Sequence, residues 1–388
     1  MRRREKPPAR GRAPRGQRAS APPLVDAAGG VSSGDSRPGR PPPGDGLTYA
    51  DAGVDIAAGE KAVELIKEHV RSTFRSEVVG DIGGFGGLFS LGRLPYRDPL
   101  LVSSTDGVGT KSVIAVEVGR YDTIGIDVVA MSVDDIAAHG AEPLFFLDYI
   151  SVGKLVPEHI DQIVQGVARG CREAGCALLG GEMSEHPGVM AAGEFDLVGF
   201  AVGIVERANL LPAGVRRGDR IIGFASPGLR CNGYSLARSS FARAGRTLDQ
   251  QAWRGARHSI GAELLRPSVI YAPTVAQLRR HTEVHALCHV TGGGIPGNLE
   301  RVLPHDCDAV IHRGKWEEPR IFEVIQTTGG ISDDEMEHVF NLGVGMLAVV
   351  SGDDVYRAID AIRTGGHDAW LVGEVIDGHG RVVMERGD

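Results

Sequence analysis

Short apolar runs alternate with helix-like segments along most of this chain, and that alternation limits the folds it can adopt. Residues 144–150 form a continuous apolar run that predicts a buried strand. Between residues 158 and 174 the apolar side chains recur every three or four positions, which predicts a helix. The other predicted strands are 100–103, 198–204, 220–225, 284–290, 344–350 and 369–376, and the other predicted helices are 234–244, 320–327 and 354–363. This order favours the α/β class.

A turn around residues 212–214 divides the pattern into two halves of similar size, and it predicts domains at 47–212 and 213–388. Residues 1–46 differ from both: they hold nine of the 21 prolines and ten basic residues against four acidic ones. Such a segment cannot bury enough apolar surface to offset its ordering entropy, which predicts a disordered tail. The tail is arginine-rich like a transit peptide, but its prolines oppose an amphipathic helix and favour a dispensable extension.

Composition indicates which kinds of partner the protein lacks and in which cellular compartment it is found. Because the tail contributes +6 to a net charge of −8, residues 47–388 carry −14, which argues against a nucleic-acid partner. No stretch approaches the roughly 20 apolar residues of a membrane helix, so no membrane partner is expected. The five cysteines lack C-x-x-C spacing, which is typical of a protein in the reducing cytoplasm.

The strongest local motif is segment 104–111, Ser-Thr-Asp-Gly-Val-Gly-Thr-Lys, directly after a predicted strand. Its glycines let backbone N–H groups approach phosphate oxygens, Lys111 supplies a cation, and Asp106 can hold Mg²⁺. A plain Asp-Gly turn is an equally simple interpretation. A second glycine run, 83–87, could fold over a nucleotide, although by itself such a run is more typical of a surface loop.

Acidic residues follow several apolar runs. Asp127 follows Ile124-Gly-Ile, the pair Asp134-Asp135 follows the run 128–133, and Glu182 follows Leu178-Leu-Gly-Gly. We expect these carboxylates at strand ends beside glycines, where they would suit Mg²⁺ shared with nucleotide phosphates. Singly, each is more typical of an exposed acid or a helix cap.

Two glycine loops in the second half suit an anion. Segment 228–235 enters a predicted helix, so Asn232, Gly233 and Ser235 could donate hydrogen bonds to a phosphate, with ordinary helix capping as the alternative. The loop 291–294, Thr-Gly-Gly-Gly, either approaches a ligand or merely turns the chain. His289 precedes it, but a lone histidine is more often a packed residue than a catalyst.

Taken together, these motifs resemble the phosphoribosylformylglycinamidine cyclo-ligase (AIR synthetase) family, and the resemblance spans residues 47–386. The motifs that carry it are, in order, Thr48-Tyr-Ala-Asp-Ala-Gly-Val-Asp-Ile56, Gly83-Gly-Phe-Gly86, Ser104-Thr-Asp-Gly-Val-Gly-Thr-Lys111, Asp122-Thr-Ile-Gly-Ile-Asp127, Asp135-Ile-Ala-Ala-His-Gly-Ala-Glu-Pro143, Leu144-Phe-Phe-Leu-Asp-Tyr149, Gly180-Gly-Glu182, Asn232-Gly-Tyr-Ser-Leu236, His289-Val-Thr-Gly-Gly-Gly294 and Asn341-Leu-Gly-Val-Gly-Met346. Each is weak alone, and their shared order makes the resemblance specific.

The resemblance implies a two-domain α/β AIR-synthetase-like fold. Domain 47–212 would bind ATP and pair strands across a homodimer, and domain 213–388 would be an α/β sandwich. The implied reaction is ATP-dependent ring closure of formylglycinamidine ribonucleotide (FGAM) to aminoimidazole ribonucleotide (AIR), with ADP and phosphate released.

The implied site residues fall into four groups. Mg²⁺ would be bound by Asp106, Asp135 and Glu182, with Asp127 in reserve. ATP would be held by Gly83, Gly84, Phe85, Gly86, Asp106, Gly107, Gly109, Thr110, Lys111 and Asp135. The ribose phosphate of FGAM would be held by Asn232, Gly233, Ser235, Gly292, Gly293 and Gly294. Lys111 and His289 are the catalytic candidates, with His289 the one named proton acceptor.

Four residues, in three motifs, depart from the family pattern. Arg230-Cys231 stands where the family has His followed by Ser or Thr, Met183 stands where it has Thr, and His186 where it has Met. Because arginine is always charged and bidentate, Arg230 could replace that His as a phosphate donor. These departures also leave room for an impaired relative acting as a nucleotide-binding or scaffold protein. The other alternative is a different ATP-phosphorylating enzyme of the superfamily.

Overall fold

The computed structural model describes residues 46–386, which form two β-sheets with helices packed against them. The predicted tail, Gly46 excepted, lies outside the described residues. The first half contains helices α1 (Ile56–Arg71), α2 (Lys111–Val118), α3 (Ile124–Ala138) and α4 (Pro157–Ala174), and strands β1 (Val78–Val79), β2 (Leu88–Phe89), β3 (Pro99–Gly107), β4 (Glu142–Val152), β5 (Ala177–Glu185) and β6 (Phe195–Glu206). The expected α/β class is confirmed.

The second half contains the other sheet. Its helices are α5 (Tyr234–Arg243), α6 (Ile260–Leu264), α7 (Ala272–His281), α8 (Gly294–Leu299), α9 (Arg320–Gly329), α10 (Asp333–Val339) and α11 (Val355–Thr364), and its strands are β7 (Arg220–Ala225), β8 (Val284–His289), β9 (Cys307–Arg313), β10 (Val344–Val350), β11 (Ala369–Asp377) and β12 (Val382–Arg386). Each strand and helix whose bounds were predicted above lies inside an observed element of the same type or agrees with its ends to within one residue.

The first-half sheet has the order β3-β6-β4-β5, with β4 and β5 parallel and the other pairs antiparallel. Helices α3 and α4 cover one of its faces. Gly199 of β6 allows this close approach, because a Cβ there would lie 2.3 Å from the Phe146 ring and 3.0 Å from Val128 of α3. The opposite face exposes large apolar side chains, among them Leu101 and Phe200.

The second-half sheet has the order β12-β9-β11-β7-β10-β8 and is antiparallel except for β12 beside β9. Every residue of β8 and β10 is buried. A continuous apolar cluster includes residues of both halves, from Ala62 of α1 to Ala369 of β11. No helix among residues 46–386 is long and apolar enough to cross a membrane.

Helix α3 overturns one expectation. The run 128–133 was expected to end a strand, and it instead forms the middle of α3, so Asp127, Asp134 and Asp135 project from a helix. Thirteen of its 15 residues are buried, because α3 lies between the first sheet and elements of the second half. A helix surrounded on all sides by protein is apolar on all sides and shows no amphipathic period. The usual sequence signal was therefore missing.

Candidate functional site

Two carboxylates, Asp106 at the end of β3 and Asp135 on α3, are near enough for the charge of one to affect the other. Ser104 Oγ donates to Asp135 Oδ2 over 2.8 Å, and His289 Nδ1 lies 2.8 Å from Asp135 Oδ1. Asp106 Oδ1 accepts from the Gly107 amide at 2.7 Å. Burial raises the pKa of Asp106, and the negative charge of Asp135 adds to that rise.

The pKa of Asp135 moves the other way. Burial alone would raise it, but contact with His289 and the hydrogen bond from Ser104 hold it below its ordinary value. Asp135 is thus kept ionised, whereas ionisation of Asp106 is disfavoured by burial and by the charge of Asp135. A divalent cation bound by both carboxylates would relieve the repulsion between them. The pair fits Mg²⁺ in its oxygen chemistry.

Within residues 46–386 no three His, Cys, Asp or Glu side chains form a group arranged to hold a metal ion. The expected grouping of Asp106, Asp135 and Glu182, with Asp127 in reserve, is therefore not seen among these residues. A cation held by Asp106 and Asp135 would need its other ligands from phosphate oxygens and water, which is the usual arrangement for Mg²⁺ with a nucleotide.

Asp127 is committed elsewhere. Its Oδ2 lies 2.7 Å from Lys111 Nζ in an ion pair that is fully buried at both ends, and its Oδ1 accepts from the amide and hydroxyl of Ser268. Lys111 also donates to the carbonyl oxygens of Arg230 and Arg266. The expectations that Lys111 meets phosphate and that Asp127 binds metal do not fit this geometry, because both charges are already neutralised inside the protein.

Glu182 lies on a different strand from the pair. Sheet register relates it through Tyr149 and Val198 to Gly107, so it is three strands from β3. At about 4.8 Å per strand this is roughly 14 Å. The structure thus separates Glu182 from Asp106, and its expected place in the same metal site is not supported within one chain.

The glycine run 83–87 connects β1 and β2 on the surface, with the Phe85 side chain fully exposed. Gly87 lies against Leu179 of β5, since a Cβ at Gly87 would be 2.3 Å from Leu179 Cγ. The run therefore lies at the β5 edge of the sheet, and Asp106 lies on the opposite edge strand, β3. Contact of Gly83, Gly84, Phe85 and Gly86 with ATP stays a prediction.

The two second-half loops come together as expected. A Cβ at Gly292 would lie 3.5 Å from Asn232 Nδ2, so the loops are neighbours. Asn232 Oδ1 is buried and has no hydrogen-bond partner among the described residues, so it is free to accept a hydrogen bond from a ligand. Ser235 Oγ lies 3.1 Å from Thr110 Oγ1, so the loop 104–111 meets the start of α5.

Glycine is required where these loops enter α5 and α8. Gly233 has φ 79° and a Cβ there would lie 2.2 Å from the Phe340 ring. Gly294 has φ 63° and a Cβ there would lie 1.8 Å from the Glu337 carbonyl oxygen. Both the left-handed backbone and the close approach exclude a side chain. Phosphate contact by Asn232, Gly233, Ser235, Gly292, Gly293 and Gly294 remains a prediction.

His289 is buried and both ring nitrogens are engaged. Arg230 Nη2 lies 3.1 Å from Nε2 and can only donate, so Nε2 accepts and Nδ1 carries the hydrogen toward Asp135. A nitrogen already occupied by a guanidinium is poorly placed to take a substrate proton, so the geometry does not favour His289 as the base.

Arg230 is likewise not a phosphate donor. Its side chain is 1% exposed and binds Asp134 Oδ2 at 2.7 Å and the Val269 carbonyl oxygen at 2.8 Å. Sequence reasoning did not anticipate these contacts, because Arg230 and Asp134 are 96 residues apart and no local pattern joins them.

A cavity of about 160 Å³ opens beside Asp135. Its polar lining includes Ser104, Asp135, His289, Asn298 and Arg301. Sequence reasoning missed Ser104, Asn298 and Arg301 as site residues. Asn298 donates to carbonyl oxygens of the 291–294 loop and so holds that loop in place.

Comparison with known proteins identifies the family to which the chain belongs. Residues 94–205 match the family model described as AIR synthase related protein, N-terminal domain, and residues 216–385 match its C-terminal domain model. A phosphoribosylformylglycinamidine cyclo-ligase of Anaeromyxobacter sp. (strain Fw109-5) is 51% identical over 340 residues, which cover 87% of this chain and 98% of that protein. One of Syntrophotalea carbinolica is 47% identical over 331 residues, covering 85% and 94%.

Solved structures with the same fold are more distant. Thiamine-monophosphate kinase from Stenotrophomonas maltophilia K279a aligns over 84% of this chain and 96% of its own, with a TM-score of 0.61 and 17% identity. A hydrogenase maturation protein HypE in complex with ATP aligns over 85% and 92%, with a TM-score of 0.59 and 17% identity. These similarities concern the fold.

Proposed function

The chain belongs to the AIR synthase family, and from that premise we propose that it closes FGAM to AIR, with ATP converted to ADP and phosphate. The observation that carries the proposal is the 51% identity to a cyclo-ligase over 98% of that relative's length. An impaired relative is not favoured, because curated relatives that are 47–51% identical over most of the chain are named as the cyclo-ligase.

The reaction needs activation of a poor electrophile. The formyl oxygen of FGAM attacks the γ-phosphorus of ATP, which releases ADP and leaves an O-phosphorylated imidate. The ribosyl-bearing nitrogen then attacks the imidate carbon, the C–O bond breaks, phosphate leaves, and a proton is lost from the nitrogen. Because both reacting groups belong to one molecule, holding them in contact supplies much of the rate.

The chain's own residues would orient these groups. Asp106 and Asp135 would hold Mg²⁺, which neutralises charge on the phosphates when bound. The backbone of the 104–111 loop, including Gly107, Gly109 and Thr110, would line the triphosphate. Asn232, with its unpartnered Oδ1, and the loop 291–294 would hold FGAM. Lys111 would act indirectly, by tying the start of α2 to α3 through Asp127.

We also propose a homodimer. Leu101 (59% exposed), Phe200 (40%) and Tyr149 (38%) share the sheet face opposite α3. Contiguous apolar faces of this kind mark interfaces. A dimer would also resolve the separation of the glycine run 83–87 from Asp106, since the run of one chain could reach the nucleotide of its partner. We place the reaction in the cytoplasm, in keeping with five free cysteines that are all buried.

The direct test is ADP release by purified protein with ATP, Mg²⁺ and FGAM, together with detection of AIR. Thiamine monophosphate is the control acceptor, because a kinase of that substrate shares the fold. AIR formation that requires ATP is expected. ADP release with thiamine monophosphate but not with FGAM would contradict the proposal, as would failure to restore growth without purine in a strain lacking this step.

A further inference from the structure

Arg230 combines a strained backbone with a buried side chain. It has φ 62°, a left-handed conformation that costs a residue with a side chain on the order of 1–2 kcal/mol. Only Arg230 and Leu342 among the described non-glycine residues have positive φ. Such strain persists where the surrounding structure holds a residue in place, and it tends to occur at functional sites.

The strained backbone directs the Arg230 guanidinium between the two halves of the molecule. Nη2 contacts Asp134 of α3 and His289 of β8, while Nη1 donates to the Val269 carbonyl oxygen. Its guanidinium carbon also lies 4.9 Å from the centre of the Tyr271 ring. Asp134 in turn accepts from the amides of Tyr271 and Ala272 at the start of α7.

A second chain of contacts leads from Arg230 to the carboxylate pair. His289 is held at Nε2 by Arg230 and at Nδ1 by Asp135, so the guanidinium sets the plane and position of the ring. Ser104 holds the other oxygen of Asp135. Partners that orient a ligand in this way typically change metal affinity by 10–100-fold when removed.

We propose that Arg230 is a positioning residue for the metal-binding carboxylate Asp135 and acts on it through His289. This proposal rests on the proposed function, because it concerns a carboxylate assigned there to Mg²⁺. It differs from a purely structural account, in which Arg230 serves only to neutralise Asp134.

Arg230→Lys separates the two accounts. A lysine keeps the charge that Asp134 needs, but a single ammonium lacks the planar fork that reaches Asp134, Val269 and His289 together. The measurement is the affinity for Mn²⁺ in the presence of ADP, followed by the electron paramagnetic resonance of free Mn²⁺. We expect R230K to weaken Mn²⁺ binding by about 10-fold or more. Arg313→Lys is the control, since the Arg313 side chain is 15% exposed and also paired with carboxylates but belongs to β9.

The route through His289 is tested by combining variants. If Arg230 acts through His289, R230K should add nothing to the loss caused by His289→Ala. Wild-type Mn²⁺ affinity in R230K, or losses that multiply in the double variant, would overturn the proposal. Should R230K fail to fold, H289A still tests the proposal, because it leaves the Arg230–Asp134 pair intact while removing the link to Asp135, and wild-type Mn²⁺ affinity in H289A would overturn it. Since no FGAM is needed, absence of AIR formation by the wild type would count against the proposed function alone.

Discussion

The buried Lys111–Asp127 pair supports a prediction that separates a structural lysine from a catalytic one. Lys111→Met removes the ammonium and leaves the Asp127 carboxylate fully buried, with only the Ser268 amide and hydroxyl as partners. Breaking a buried pair on one side typically costs about 3–5 kcal/mol, because an uncompensated charge remains. We expect a loss of that size in the free energy of unfolding, measured by urea denaturation followed by circular dichroism.

Two variants make the prediction quantitative. In K111M/Asp127→Asn the buried charge is gone, and the Asn carbonyl can still accept from Ser268, so the double variant should be more stable than K111M alone. Lys61→Met is the matched control, because Lys61 and Glu158 form an exposed pair, at 57% and 60% exposure, and should show no measurable change.

The refuting result is specific. Wild-type stability in K111M combined with loss of ADP release would show that Lys111 acts on the nucleotide, and that the buried pair opens when ligand binds. Equal instability of K111M and K111M/D127N would show that the cost comes from lost packing of the lysine stem rather than from the carboxylate charge.

Three further outcomes are expected. Asp106→Asn should lower Mg²⁺-dependent ADP release by more than roughly 100-fold, since even outer partners of a metal are worth 10–100-fold, while wild-type circular dichroism is kept; wild-type turnover would refute the metal assignment. Burial raises the pKa of Asp148 to about 7, so the folded state holds a proton that the unfolded state releases near pH 4, and stability should fall as pH rises from 4 to 7. Asp148→Asn should therefore stabilise the protein at pH 8, by on the order of 2–4 kcal/mol, and not at pH 4; equal effects at both pH values would contradict this. Phe200→Glu should convert a dimer to a monomer of 41.1 kDa in light scattering, and an unchanged mass would place the interface elsewhere.

Much of the fold could be read from local pattern. Strand β10 is a continuous apolar run and α4 has one apolar face, and both were predicted at nearly their observed bounds. The loops that need glycine, such as those at Gly233 and Gly294, were also recognisable, because a left-handed turn before a helix leaves few other residues possible. Helix α3 was missed because protein surrounds it, so its apolar residues are not confined to one face and show no helical period.

The partners of the charged side chains were decided only by the tertiary structure. The motifs and the family resemblance suggested that Asp106, Asp135 and Glu182 would share one cation, with Asp127 in reserve. In the structure, however, Asp127 faces Lys111, and sheet order puts Glu182 three strands away. Arg230 meets Asp134 because the packing of α3 against the second half brings together residues 96 positions apart. Local pattern determines which segments become strands and helices, whereas the ligand set of a charged site depends on which faces those elements present to each other after they pack.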